Sequence, residues 1–228
     1  MITVCEVYQA APARLTDEGI HTVCVDETTG IQALERIAPT KPMRPGHIEK
    51  QEFEYVRHGT QTLIGNFEVA TGRVIAPTVQ QTRDEADFAR HIEQTVATDP
   101  AAGWIFVGDN LTTHCSATLV LLVAGLCGIP ADSLGTKGKR GVLQSVSTRK
   151  AFLTDAGHRV RFVYVPKHTS WLNQVEIWFS ILARRVLRRG SFRSKEDLRD
   201  RILTFIDYFN RTMAKPFKWT YAGRPLNV

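Results

Sequence analysis

The feature that most constrains the fold is residues 160–187, VRFVYVPKHTSWLNQVEIWFSILARRVL. It reads as a buried strand stopped by Pro166, a short basic loop, and a helix that is apolar nearly all round: Trp171, Leu172, Val175, Trp178, Phe179, Ile181 and Leu182. Such a helix must bury most of its surface against a layer of other elements. Glu176 stands in the middle of it. At about 100° per residue, Asn173, Glu176 and Ser180 fall within roughly 60° of one another, a thin polar stripe on an apolar rod. A buried carboxylate needs a partner, and two readings are open: a salt bridge to a nearby Arg, or a metal ligand facing an open site.

The chain has 228 residues, enough for one well-cored domain with insertions. No stretch approaches the roughly 20 apolar residues of a membrane-spanning helix, residues 117–127 being the longest apolar run. The first ten residues, MITVCEVYQA, lack a basic-then-apolar signal pattern. Cys5, Cys24, Cys115 and Cys127 form no CxxC pair and read as small core residues in a reducing compartment, against a zinc site. These features place the chain in the cytoplasm. The net charge of +6 is unevenly spread: residues 1–100 hold 9 Lys/Arg against 15 Asp/Glu, whereas residues 159–228 hold 15 against 5. A basic third beside acidic clusters is the pattern of a face that holds a polyanion, or of a solvated helix face.

Residues 1–20 read as a lead-in in which Ala-Ala-Pro at 10–12 breaks any helix. The β-branched run 22–25 is a strand ending on Asp26. Residues 31–59 are irregular, with Lys41, Arg44 and His47 among three prolines forming a stiff basic loop. Residues 62–69 and 73–79 flank a Gly-containing turn as a hairpin. A capping box at Thr82-Arg-Asp-Glu85 starts a helix running to about Ala97. The strand 104–107 runs into Asp109 and Asn110, and Thr112 or Thr113 caps the next helix. Residues 128–157 read as an insertion carrying a flexible basic loop with Lys137, Lys139, Arg140, Arg149 and Lys150; GTKGKRG has no Walker spacing. Ser194 and Asp197 cap a last helix to about Asn210, and 214–228 is a basic and aromatic tail.

Strands alternating with helices put ligand sites at the strands' carboxyl ends, where Asp26 and Asp109 both stand. If their strands are neighbours, a helix packed on the sheet brings Glu176 over them. Three carboxylates so placed repel one another unless protons or divalent cations intervene. Hard oxygen ligands, few per ion, suit Mg²⁺ or Mn²⁺, and a pair of such ions serves phosphodiester chemistry. Asn110 orients water or caps a turn. His114 reads as a helix-start residue before a ligand, because Mg²⁺ gains little from imidazole.

The phrases VDETTG, GDNLTTH and HTSWLNQVEIWF resemble the three acidic motifs of DDE transposases, in particular the bacterial insertion-sequence branch of the mariner superfamily; GIQALER, FEYVRHGT and YFNRTMAKPFKWTY are similar to the same branch. The resemblance implies an α/β, ribonuclease-H-like fold, as in retroviral integrases: a mixed five-stranded sheet flanked by helices, spanning residues 21–213. It implies that Asp26, Asp109 and Glu176 bind two Mg²⁺ ions, with Mn²⁺ able to substitute, and catalyse strand cleavage at transposon ends and transfer to target DNA. Asn110 and His114 would support them. Lys137, Lys139, Arg140, Lys167, His168, Asn173, Arg184 and Arg188 are expected at the DNA, with Arg185 and Arg189 nearby. Partners would be double-stranded DNA and further copies of the chain, and the location nucleoid-associated. Two departures stand out. The second and third acids are 67 positions apart, which the 128–157 insertion accounts for. Only about 25 residues precede Asp26, so the chain looks like the catalytic part of a larger transposase without its helix-turn-helix region. A nuclease that only hydrolyses, and an inactive DNA-binding or assembly module, are the rival readings.

Overall fold

The computed structural model describes residues 2–223. Eleven regular elements follow in order: α1 (Ile2–Glu18), β1 (Ile20–Arg36), β2 (Tyr55–Glu68), β3 (Thr78–Gln80), α2 (Glu85–Val96), β4 (Gly103–Gly108), α3 (Ala117–Leu126), α4 (Val146–Leu153), β5 (Val160–Tyr164), α5 (Gln174–Leu182) and α6 (Lys195–Thr212). The strands form one mixed sheet in the order β3-β2-β1-β4-β5. β1, β4 and β5 are parallel, whereas β2 is antiparallel to both β1 and β3.

Alternation along each central strand supplies two cores. Val23, Val25, Trp104, Phe106 and Phe162 point to one face, under α2, α3 and α4. Cys24, Ile105 and Val107 point to the other, where α1, α5 and α6 contribute Tyr8, Trp178, Leu182, Ile202 and Ile206. This is the ribonuclease-H-like sandwich expected from the sequence. No helix among the described residues is long and apolar enough to cross a membrane.

Several local expectations need correction. Residues 2–18 are helical despite Pro12. The proline removes one hydrogen bond, but Val4, Val7, Tyr8 and Ala11 are buried against the sheet, and that packing outweighs the missing bond. β1 does not stop near Asp26 but runs to Arg36, paired with β2 back to Tyr55, so the irregular region shrinks to the prolines and their flanks. α2 is capped by Asp84, whose carboxylate accepts from the Asp87 N–H while Asp87 accepts in return; Thr82 lies outside the helix. Ser116, not Thr112 or Thr113, caps α3. The 128–157 segment is only partly loop: Ser145 caps α4, and Arg149 donates to the carbonyls of Cys115 and Leu143. The helix read across 171–187 has three parts: a 3-10 turn at Ser170–Leu172, α5, and a π-turn at Ala183–Leu187.

Candidate active site

The β1/β4 register pairs Cys24 with Val107. Two residues further along stand Asp26, inside β1 just beyond its pairing with β4, and Asp109, just past the end of β4. Glu176 lies in the first turn of α5, three residues after its N-cap Asn173, rather than at mid-helix. A close approach of α5 to the sheet puts it there. Asp26 pairs across β1/β2 with Gly65, and a Cβ on Gly65 would lie 2.9 Å from the Phe179 ring. The missing side chain lets Phe179 and Val175 settle on the strand beside Asp26. Trp178 and Leu182 are fully buried, each contributing roughly 1.5–3 kcal/mol to holding the helix. From α1, the buried Tyr8 hydroxyl donates to the Leu172 carbonyl at 2.8 Å, anchoring the turn that leads into α5.

The carboxylates sense one another. Asp26 is buried, and burial, together with the charges of Asp109 and Glu176, pushes its pKa up to about 7 against the opposing pull of the Glu27 N–H and His114. Glu176 is also raised, by burial and by Asp109. Burial works against the charge of Asp109 as well, but His114 and the Leu111 N–H outweigh it and hold this carboxyl below its ordinary range. Among the described residues no group of three or more His, Cys, Asp or Glu side chains forms a metal-binding cluster. Carboxylates that destabilise one another's charge, and are too few to enclose an ion, fit a hard divalent cation completing its shell with water and substrate oxygens.

His114 is buried under the site, its Nδ1 2.6 Å from Asp109 Oδ1 and its Nε2 3.1 Å from Glu27 Oε2. Burial opposes its charge, but the two carboxylates prevail and push His114 up to about 9. Glu27 was not singled out by sequence reasoning. The signal was available, since next to Asp26 on a strand it must point to the opposite face. Asn110 donates to the Val165 carbonyl and accepts from Lys150, tying the β4 and β5 ends together. Lys150 also lies over the Tyr164 ring.

Two clefts lie in this region, the first lined in part by Asp109 and the second by none of the three acids. One, of about 410 Å³, is lined by Asp109, Asn110, Leu111, Val165, Pro166, Lys167, His168 and Ser170. His168 takes φ +63°, a conformation costly for a side chain with a Cβ. The other, of about 540 Å³, lies between β1 residues from Thr28 to Leu34 and Ala183, Arg184, Leu187 and Arg188 of the π-turn region. Thr62 pairs with Gln80 and Leu63 with Thr28, so α2 begins at this same end of the sheet. Lys137, 3.6 Å from Glu85 of α2, therefore also stands at the acid end, on an exposed loop with Lys139 and Arg140. Asn173 is the exception among the expected DNA contacts. It is fully buried, its amide donating to the Val25 carbonyl at 3.0 Å and to Asp26 Oδ2 at 3.3 Å, so it serves the acid and not the nucleic acid.

The ribonuclease-H-like sheet thus carries Asp26 on β1 and Asp109 just past the adjacent β4, with Glu176 on the helix packed against it. The chain belongs to the DDE superfamily endonucleases, whose family model matches residues 21–199. Among curated proteins none matches it. Solved structures with the same fold include the Mos1 mariner paired-end complex with Mn and the Mos1 transposase paired-end complex with left transposon end, each with TM-score 0.54, 13% identity, and coverage of 90% of this chain and 53% of the other. The catalytic domain of Mos1 mariner transposase matches with TM-score 0.51 and 10% identity, over 90% of this chain and 78% of that one. The chain thus spans about half the length of the paired-end chains it matches.

Proposed function

We propose that this chain is the catalytic domain, residues 21–213, of an insertion-sequence transposase of the mariner type, which cleaves DNA strands and joins them to target DNA with divalent cations. The observation that carries the reading is the approach of Asp26 on β1, Asp109 just past β4 and Glu176 on α5, with burial first and then both other acids opposing the ionisation of Asp26. These three residues would hold two Mg²⁺ ions, or Mn²⁺. The bound ions would activate a water or 3′-hydroxyl nucleophile and stabilise the departing oxygen. The chain's own part is to present the carboxylates in fixed positions and to align the phosphodiester. Lys167 and His168 in one cleft, and Arg184 and Arg188 in the other, track phosphates to either side, with Lys137, Lys139 and Arg140 extending the basic surface. The DNA partners are transposon ends and target, engaged by more than one copy of the chain at the nucleoid. The Mos1 neighbours, described as complexes with transposon ends and with Mn, support this reading.

The test is to supply pre-cleaved ends carrying a free 3′-hydroxyl, a target plasmid and Mg²⁺. Joined products are expected. Nicking without joining would instead make the chain a hydrolytic nuclease, and neither product would leave an inactive DNA-binding module.

A further inference from the structure

Beneath the acids lies a buried charge chain that metal binding alone does not require. Glu27 and Asp26 are consecutive on β1 and so lie on opposite faces of the sheet. Asp26 faces α5, whereas Glu27 points to the α2 and α3 side and meets His114. The side chains involved are 3% exposed for Glu27 and 1% for His114. Phe88 of α2 packs on the imidazole with ring centroids 4.1 Å apart, fixing its plane. A carboxylate oxygen lies at each ring nitrogen, so the buried imidazole is held from both sides, between Glu27 of β1 and Asp109 past the end of β4. The contact to Asp109 is close but out of line for a hydrogen bond, and the one to Glu27 is a hydrogen bond. Asp109 Oδ1 also accepts the Leu111 N–H at 2.9 Å. That oxygen is therefore engaged twice by the protein, leaving Oδ2 for a cation.

We propose that Glu27 and His114 act as a positioning couple: the His114 ring fixes which oxygen of Asp109 is offered to a divalent cation, and Glu27 holds that ring in place from the neighbouring strand. The couple also links β1 at Glu27 to Asp109 just past β4, across the boundary between the two strands. Partners of this kind, one shell removed from a metal, commonly change its affinity 10- to 100-fold. The inference rests on the proposed role of Asp109 as a metal ligand.

The experiment measures Mn²⁺ binding by calorimetry or electron paramagnetic resonance, at a temperature where circular dichroism shows each variant folded. The set is wild type, Asp109→Asn, His114→Ala, Glu27→Ala and the double variant, with the near-isosteric Glu27→Gln standing in if Glu27→Ala does not fold. His114→Ala and the Glu27 variant should each weaken Mn²⁺ binding about 10- to 100-fold. The double variant should be little worse than the more affected single one, because both changes break the same device. Folded single variants that bind Mn²⁺ like wild type, or losses that multiply in the double variant, would overturn the couple. If Asp109→Asn itself leaves Mn²⁺ binding unchanged, the metal-site reading fails instead, so the two failures are distinguishable.

Discussion

Asn173, the N-cap of α5, reaches to the central strand β1 to donate to Asp26 Oδ2 at 3.3 Å. The third acid's helix thereby supports the first acid directly, and the bond to the Val25 carbonyl keeps the amide from swinging away. Asn173→Ala should lower the turnover of strand cleavage about 10- to 100-fold. DNA affinity and its salt dependence should be unchanged, because the side chain is fully buried. Single-turnover cleavage and fluorescence anisotropy on one duplex separate the two effects; a drop in affinity alone would return Asn173 to the DNA surface.

Asp109→Asn keeps the shape of the side chain and removes its charge. Losing a carboxylate that supports metal chemistry forfeits several kcal/mol of transition-state stabilisation, so cleavage should fall by at least about 10³-fold. His114 retains Glu27 as a partner, so the variant should remain folded, as a thermal melt would show. Cleavage that survives the change would remove Asp109 from the site.

The acids were legible in the sequence because each leaves a local mark: an Asp closing a β-branched run, and a Glu on a helix otherwise apolar all round. Their neighbours were harder to read because their roles are tertiary. Asn173 reads as part of a thin polar stripe only if the helix starts at Trp171. With α5 beginning at Gln174, Asn173 becomes a cap turned inward. Glu27 carries no periodic signal of its own, and its role depends on His114, 87 positions away. The helix at 2–18 was hidden by Pro12, a local penalty that long-range burial of Tyr8 and Ala11 overrides. The far half of β1 was hidden because its inward alternation, Ile31 and Ala33, is brief and followed by prolines.

Arg184 and Arg188 are exposed at the rim of the cleft beside β1. Each phosphate neutralised adds about 0.9 to the steepness of log affinity against log salt. Arg184→Ala with Arg188→Ala should therefore flatten that slope by about 2, whereas Arg211→Ala, outside both clefts and paired with Asp207, should leave it unchanged. Anisotropy titrations across a salt series measure both. Equal slopes for the two variants would make the cleft arginines an ordinary solvated face.

His91 on α2 is buried, and burial alone pushes its pKa down to about 3. Thr78 Oγ1 is its hydrogen-bonding partner, at 2.8 Å from Nδ1. Above pH 6.5, the ordinary histidine value, the folded and unfolded chains are both neutral at this position. Below it the unfolded chain takes up a proton that the folded one refuses, so stability falls with pH until about 3. At pH 5 the loss relative to pH 7 is roughly 2 kcal/mol. Urea denaturation at the two pH values should show a difference smaller by about that amount in His91→Gln; an unchanged difference would mean that other groups control the acid sensitivity.

Gly65 links packing to chemistry. It pairs with Asp26 across β1/β2, and an added Cβ would meet the Phe179 ring at 2.9 and 3.2 Å and Val175 Cγ2 at 3.5 Å. The 2.9 Å contact is too close to persist, and a ring packed between helix and sheet can yield only by moving α5. Gly65→Val should therefore cost about 1–3 kcal/mol of stability through overpacking. It should also lift the first turn of α5, and with it Glu176, away from Asp26 and Asp109. A displacement of about 1 Å at a catalytic group can cost on the order of 10²-fold in rate. The expected signature is thus a moderate fall in urea midpoint joined to a much larger fall in cleavage, with salt-dependent DNA binding retained. Gly65→Ala should show the same pattern more weakly. Were stability to fall while the rate per folded molecule held constant, the approach of α5 to the sheet would be packing alone, and the position of Glu176 would have to be set by something other than this glycine.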